Sequence, residues 1–400
     1  MASNLNFTQC SQLLTAINAQ ATGRTAIAPV NTHEFVAMAT STLATGYDPV
    51  IYAISQVLSK TVFSVRPYNR KFKGLFMDSA RWGNHVRKLQ SLDNDPEDDS
   101  RYVRGGGVPY QPDEPTRLLQ GVDQQTINKP KVYQTNFYGA SVYERSLTLF
   151  KDQLDVAFSS PEEFGRFVGM VLQNVSDMIE QDHENMARMT VANFIAAKTV
   201  CDTDNVVHLL AEYNNEVGGE FTAATIRNGE NFTAFMRWAY ARIKTVSDMM
   251  TERTAKYHKN PAKGSISRHT PKERQKMYLR SADVNNMESR VLSVTFHDQY
   301  LKGIDFETVN FWQSIDSPDS INAKPSYVND NFEVVNDKEV TVNNVFGVLF
   351  DEDAMGVTTV NTWTATAPFN ARGGYQNTFW HFTDRYYNDL SENGVVFLLD

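Results

Sequence analysis

The chain has 400 residues, 41% of them hydrophobic and 12% aromatic, enough apolar material for two or three domains with substantial cores. Its formal charge of −9 at pH 7 excludes a protein whose whole surface wraps nucleic acid, because phosphate neutralisation needs a basic face. Cys10 and Cys201 lie too far apart for a disulfide framework or a zinc site, the start of the chain lacks an export signal, and no stretch approaches the roughly 18 apolar residues of a membrane span, so a soluble protein of a reducing cytoplasm is expected.

Residues 1–47 carry only Arg24 and Glu34 as formal charges among many Thr, Asn, Gln and Ala, a composition too polar for a core and too weakly charged for a solvating tail. An arm laid over another surface is expected. Asp48 is placed to cap a short helix with Pro49 at its first position, and Ile51, Ile54, Val57 and Leu58 mark its buried side. The basic and aromatic run Arg66 to Lys73 reads either as a phosphate contact or as a solvated strand edge.

From Asp93 to Lys131 the sequence holds eight acidic residues, five prolines and the run Gly105-Gly106-Gly107, which leaves little to bury. A long extended loop or projecting hairpin is expected. The glycines are not a phosphate loop, since no Gly-Lys-Ser/Thr follows them. Residues 132–150 are β-branched and aromatic and predict a strand leading into the longest element of the chain.

That element is a helix over 161–198. Phe164, Phe167, Val168, Val171, Leu172, Val175, Met178 and Ile179, then Met186, Met189 and Phe194, form the stripe of a helix with one buried face. Ser160 caps it, Pro161 occupies its first position, and Glu162 and Glu163 sit at the positive end of its dipole. At 1.5 Å per residue such a rod is about 57 Å long, a spine for the rest of the chain. A long core helix of an enzyme is the other reading. The stripe is interrupted at Asp182 and His183, so one turn lacks an apolar anchor, either as a place to bend or as a turn facing solvent.

Beyond the spine, Val206 to Leu210 predicts a short strand, followed by a turn-rich stretch with Gly218-Gly219. Asn231 opens an amphipathic helix with Phe232, Phe235, Met236, Tyr240, Ile243, Val246 and Met250 on one side. Lys256 to Lys276 holds seven Lys/Arg against Glu273, which reads as contact with an acidic partner or nucleic acid, or as an exposed flexible loop. Val345 to Phe350 predicts a buried strand, and Phe379 to Leu399 a strand pair turned at Ser391 to Gly394.

Catalysis has no positive signal. Glu180 and His183 form half of a di-iron carboxylate site, but no second Glu-x-x-His follows, which leaves an i, i+3 ion pair. There is no zinc-protease motif, nucleophile elbow, Walker sequence or dinucleotide fingerprint. No catalytic residue, metal or cofactor is expected.

The stretch Asn370-Ala-Arg372-Gly373-Gly-Tyr375-Gln-Asn377-Thr-Phe-Trp-His381, preceded by Phe-Gly-Val-Leu-Phe-Asp and closed by Asn393-Gly394-Val395-Val396-Phe397, resembles the C-terminal end of tailed-bacteriophage major capsid proteins, especially the coat proteins of small short-tailed phages. The order of elements is similar along nearly the whole chain, the motif only over its C-terminal end. The resemblance implies an α+β chain with the Hong Kong 97-like coat fold: N-terminal arm 1–47, start of the peripheral domain 48–92, extended loop 93–131, peripheral domain 132–221 with its spine helix 161–198, axial domain 222–335, and C-terminal strands 336–400 returning to the peripheral domain. It implies a major head protein that self-assembles as hexamers and pentamers into an icosahedral virion shell around double-stranded DNA. Its partners would be copies of itself, a portal protein and, since no scaffolding domain precedes the arm, a separate scaffolding protein, with assembly in the host cytoplasm and no membrane. Asn370, Arg372, Gly373, Tyr375, Asn377 and His381, the three loop glycines, and Asp182 with His183 become the structural and assembly candidates. Arg372 is expected to fork onto carbonyls or a carboxylate at a backbone corner. A nanocompartment shell protein of the same fold, an enzyme without a recognisable motif and a DNA-binding protein are the alternatives.

Overall fold

The computed structural model describes residues 6–60, 72–76, 86–91, 129, 132–228, 231–260, 266–287, 306–329, 333–336 and 338–400. The first three helices are α1 (Phe7–Thr22), α2 (Thr32–Leu43) and α3 (Tyr47–Lys60). The polar composition of residues 1–47 hides two well-capped helices: Asn6 and Gln9 form a reciprocal capping box, Asn31 accepts from the Glu34 amide, and Gly23 ends α1 in the left-handed conformation. Their apolar residues are few but aligned. Leu13, Leu14 and Ile17 of α1 and Phe35 and Ala39 of α2 enter one core with Ile51 and Ile54 of α3. The stretch therefore builds a core within its own chain, which composition alone did not foretell.

Next come β1 (Val86–Ser91), β2 (Val132–Phe137), β3 (Ala140–Phe150), α4 (Lys151–Ala157) and α5 (Pro161–Cys201). The strand expected over 132–150 is two strands, broken at Gly139, where a Cβ would collide with the Tyr386 carbonyl. The spine is α5, 41 residues long, capped by the Ser160 hydroxyl accepting from the Glu163 amide, with Pro161 at its start. Its first turns, Phe164 to Val171, pack into the core of α1–α4. Its last turns, Ala187 to Ala196, pack into a second core.

The rest of the chain comprises β4 (Val206–His208), α6 (Leu209–Val217), α7 (Ala223–Asn228), α8 (Asn231–Met249), β5 (Gln275–Arg280), α9 (Ser281–Met287), β6 (Glu307–Val309), β7 (Ile321–Ala323), β8 (Tyr327–Val328), β9 (Val334–Val335), β10 (Val340–Val342), β11 (Val345–Asp351), β12 (Met355–Thr366), β13 (Tyr375–Asn388) and β14 (Gly394–Leu398). Helix α6 replaces the expected turn-rich stretch, and Gly218 at φ 69° is its left-handed cap. The amphipathic helix from Asn231 and the buried strand from Val345 are present as expected, every residue of β11 being buried.

A mixed sheet of order β4-β14-β11-β5-β6 lies at the centre. Alternate side chains of β11 face opposite cores: Val348 and Phe350 pack with Phe194 and Ile195 of α5, while Leu349 packs with Phe232, Phe235 and Ile243. A second sheet, β12-β13-β3, is antiparallel throughout and is crossed by α5. The strands expected to pair between Phe379 and Leu399 therefore belong to different sheets. Strand β13 alternates in burial and covers one face, whereas β14 is buried at every position as a central strand. The connection is fixed by Asp389, which accepts from the Ser391 amide and hydroxyl at 2.9 and 2.6 Å.

Candidate assembly surfaces

Strands β12 and β13 form a hairpin whose tip is made by Asn370. Its amide donates to the Tyr375 carbonyl at 2.9 Å, its carbonyl accepts from the Gly374 amide at 2.8 Å, and its Oδ1 accepts from the amides of Arg372 and Gly373 at 3.1 and 3.0 Å. Gly374 adopts φ 66°, and a Cβ on Gly373 would strike the Tyr375 ring. The spacing Asn-x-Arg-Gly-Gly-Tyr thus encodes a tight turn. Arg372 is exposed at its apex. The fork expected of Arg372 is not formed: among the described residues its guanidinium has no side-chain or carbonyl partner, because the turn bonds are made by backbone and Asn370.

Asn377 and His381 tie β13 to the strands on either side, β3 and β12. Thr148 Oγ1 donates to Asn377 Oδ1 at 2.7 Å, and the His381 ring stacks on Trp363 with centroids 3.8 Å apart, its Nδ1 3.6 Å from Glu144. Asp48 does not cap its helix, which begins a residue earlier. Its Oδ1 instead accepts from the Phe369 amide and from Gln376 Nε2 at 3.2 and 2.9 Å, tying the hairpin to α3. Tyr47 stacks on Phe369, and burial, with a bond to Asp155, pushes its phenol up to about 12.

The interrupted turn of α5 has polar anchors in place of apolar ones. Arg145 of β3 grips Asp182 with two bonds, one of them 2.7 Å, while His183 lies with Nε2 3.7 Å from Asp384 and its ring 5.3 Å from that of Phe76. Tyr143 donates to Asp384 at 2.9 Å, and burial followed by the charge of Asp384 raises its phenol. The turn therefore faces the second sheet, neither bare nor solvated. Among the described residues no group of three His, Cys, Asp or Glu is arranged to hold a metal.

The loop glycines Gly105, Gly106 and Gly107 lie outside the described residues, as does most of the basic run from Arg66, whose Phe72 is buried in the core. Strands β1 and β2, which precede and follow residues 92–131, pair antiparallel, with Ser91 opposite Val132. Sequence reasoning missed what holds β1. Lys88 lies 2.8 Å from Asp389 and 2.5 Å from Glu392, and Arg268 lies 2.8 Å from Glu392. Burial alone would lower the Lys88 ammonium, but the two carboxylates raise it; burial raises the Glu392 carboxyl against the pull of Lys88. The segment from Lys256 is likewise not a bare basic loop. Lys272 meets Asp248 at 2.6 Å, Arg274 meets Asp351 and Asp353, and Lys259 donates to the Cys201 carbonyl at 2.9 Å. These acids are distant in sequence, so no local signal could have found them.

The fold is that of a tailed-phage coat protein of the Hong Kong 97-like type. A chain in the capsid structure of Staphylococcus phage Andhra matches 85% of this chain and 87% of its own length at 11% identity, with a TM-score of 0.53. A chain in the structure of head fiber and inner core protein gp22 of native bacteriophage P68 matches 85% and 87% at 10% identity, with a TM-score of 0.52. The chain belongs to the Phi29-like phage major capsid protein family, whose model matches residues 14–398. No curated protein sequence matches it. It is a shell-forming coat protein, a structural component of the virion that assembles with copies of itself. Among the described residues no helix is long and apolar enough to cross a membrane.

Proposed function

We propose that the chain builds an icosahedral shell of hexamers and pentamers around double-stranded DNA, assembling in the host cytoplasm with a separate scaffolding protein and a portal protein, and that it works without catalysis. Residues 1–47, whose helices pack on α3 and α5 of their own chain, peripheral domain 48–92 and 132–221, extended loop 93–131, axial domain 222–335 and returning strands 336–400 are the units of that assembly. The observation that carries the reading at residue level is Arg372: a cation raised on a turn fixed by Asn370, Gly373 and Gly374, without a partner among the described residues, is placed to reach a carboxylate of a neighbouring subunit. The turn at Asp182 and His183 is the point at which the spine changes axis between immature and expanded shells, its grip on Arg145 and Asp384 being polar and breakable. Size-exclusion chromatography and negative-stain microscopy of the purified protein, with and without a candidate scaffold, test the assembly. Closed shells are expected, and a protein that stays monomeric at high concentration with its scaffold present refutes it.

A further inference from the structure

Strand β3 ends the second sheet, whose order is β12-β13-β3, so among the described residues one side of its backbone has no strand partner. Which groups are left over follows from the register. The Lys151 amide donates to the Gly374 carbonyl and the Tyr386 amide to the Gly139 carbonyl, so the odd-numbered residues of β3 bond to β13. The even-numbered residues therefore turn their N–H and C=O groups outward. At the end of the strand the outward Phe150 amide is already met by Gln153 Oε1 at 3.4 Å, but no such bond serves Val142, Glu144, Ser146 or Thr148 among the described residues. Those same positions are exposed, Val142 to 75% and Phe150 to 46%.

Natural edge strands are usually short, bulged, or guarded by Lys or Pro. This one runs 11 residues, contains neither Lys nor Pro, carries only Glu144 and Arg145 as charges, Arg145 being held by Asp182, and keeps unbroken register with β13 from Ala140 to Phe150. It is a template for another strand. Because the chain is a coat subunit that meets copies of itself, we propose that the free edge of β3 is an assembly contact occupied by β3 of a second copy, antiparallel about a dyad at Ser146. The register is selected by chemistry. A dyad at Glu144 or Arg145 would set like charges opposite each other, whereas the dyad at Ser146 places Val142 opposite Phe150 twice and Glu144 opposite Thr148. The contact joins two subunits face-equivalently, with α5 of each on the same side of a six-stranded sheet made of β12-β13-β3 and its copy.

The proposal rests on shell formation by this chain, so wild-type shells prepared in parallel separate failure of the contact from failure of assembly. In shells of the full chain carrying Ser146→Cys, the two sulfurs would flank the dyad, where paired Cα atoms lie about 5.5 Å apart, within disulfide reach. Made in a Cys201→Ser background, because Cys201 is only partly buried whereas Cys10 is buried, the variant is expected on oxidation to give a band at twice the subunit mass on a non-reducing gel, absent when Ser146 is retained. Ser146→Pro removes an outward N–H and leaves the ladder to β13 intact. It is expected to keep the wild-type circular dichroism spectrum and thermal midpoint while losing shells. Shells of Ser146→Cys that yield only monomer after oxidation, or Ser146→Pro shells formed in wild-type yield, overturn the proposal.

Discussion

Replacing Arg188 with Met tests how α5 is fastened to the body. Its Nε donates to Glu184 Oε1 at 3.0 Å and a second bond runs to the same oxygen, with 9% and 5% of the two side chains exposed. The guanidinium also donates to the Phe311 carbonyl and lies 3.9 Å from the Phe311 ring centroid and 5.3 Å from that of Phe72. Met retains much of the volume and the apolar contact with the rings but leaves Glu184 as a buried carboxylate without its cation, and Glu184 Oε2 already lacks a hydrogen-bond partner among the described residues. Breaking such a pair costs about 3–5 kcal/mol, while replacing both members with apolar residues is often neutral or stabilising. Urea unfolding of the unassembled subunit measures this from midpoint and slope. Arg188→Met should lose about 3–5 kcal/mol, and adding Glu184→Leu should recover most of it. A single variant costing less than about 1 kcal/mol, or a double variant as unstable as the single, refutes the assignment of that energy to an unpaired carboxylate.

Arg372→Ala should leave subunit stability within about 0.5 kcal/mol of wild type, as for other surface changes, yet lower shell yield in an assembly assay; normal yield argues against the intersubunit role. Gly374→Ala, at φ 66°, should cost about 1 kcal/mol by thermal melting, and Gly373→Ala should displace the Tyr375 ring and reduce shell yield as well. Burial raises the Tyr278 phenol above its ordinary value of 10.0, so the unfolded chain ionises first and stability present below that pH is lost as pH rises through the folded value. The urea midpoint should therefore fall between pH 9 and 11, conditions set about the ordinary tyrosine pKa of roughly 10, and fall less in Tyr278→Phe.

Where a residue's partners lie nearby in sequence, the fold was legible. The stripe from Phe164 and the Ser160–Pro161 start gave α5 to within a few residues of its end, and the Asn231 helix and the apolar strand from Val345 followed the same logic. The helices of residues 7–43 were obscured because their buried stripes are narrow, although Asn6 with Gln9 and Asn31 with Glu34 are capping signals in plain view. The difference between β13 and β14 could have been read from period: alternation marks one covered face, a continuous apolar run marks two. At the candidate surfaces, the Asn370 to His381 spacing carried the resemblance and a backbone corner at Arg372, but neither the hairpin between β12 and β13 nor Arg372's exposure at its tip. Lys88 with Asp389 and Glu392, or Arg145 with Asp182, joins segments far apart in sequence, and no local pattern encodes such a meeting.

The two apolar cores that α5 enters share no residue, and between Val171 and Ala187 none of its described residues joins either one. At 1.5 Å per residue the helix is about 60 Å long. As long as the turn at Asp182 and His183 keeps its axis, a hydrogen-bonded rod of that length behaves as a lever: a rotation of about 5° at one core sweeps the far end through about 5 Å, roughly one turn of a neighbouring helix. Small changes of angle where subunits meet are thereby converted within each chain into displacements large enough to exchange one set of contacts for another.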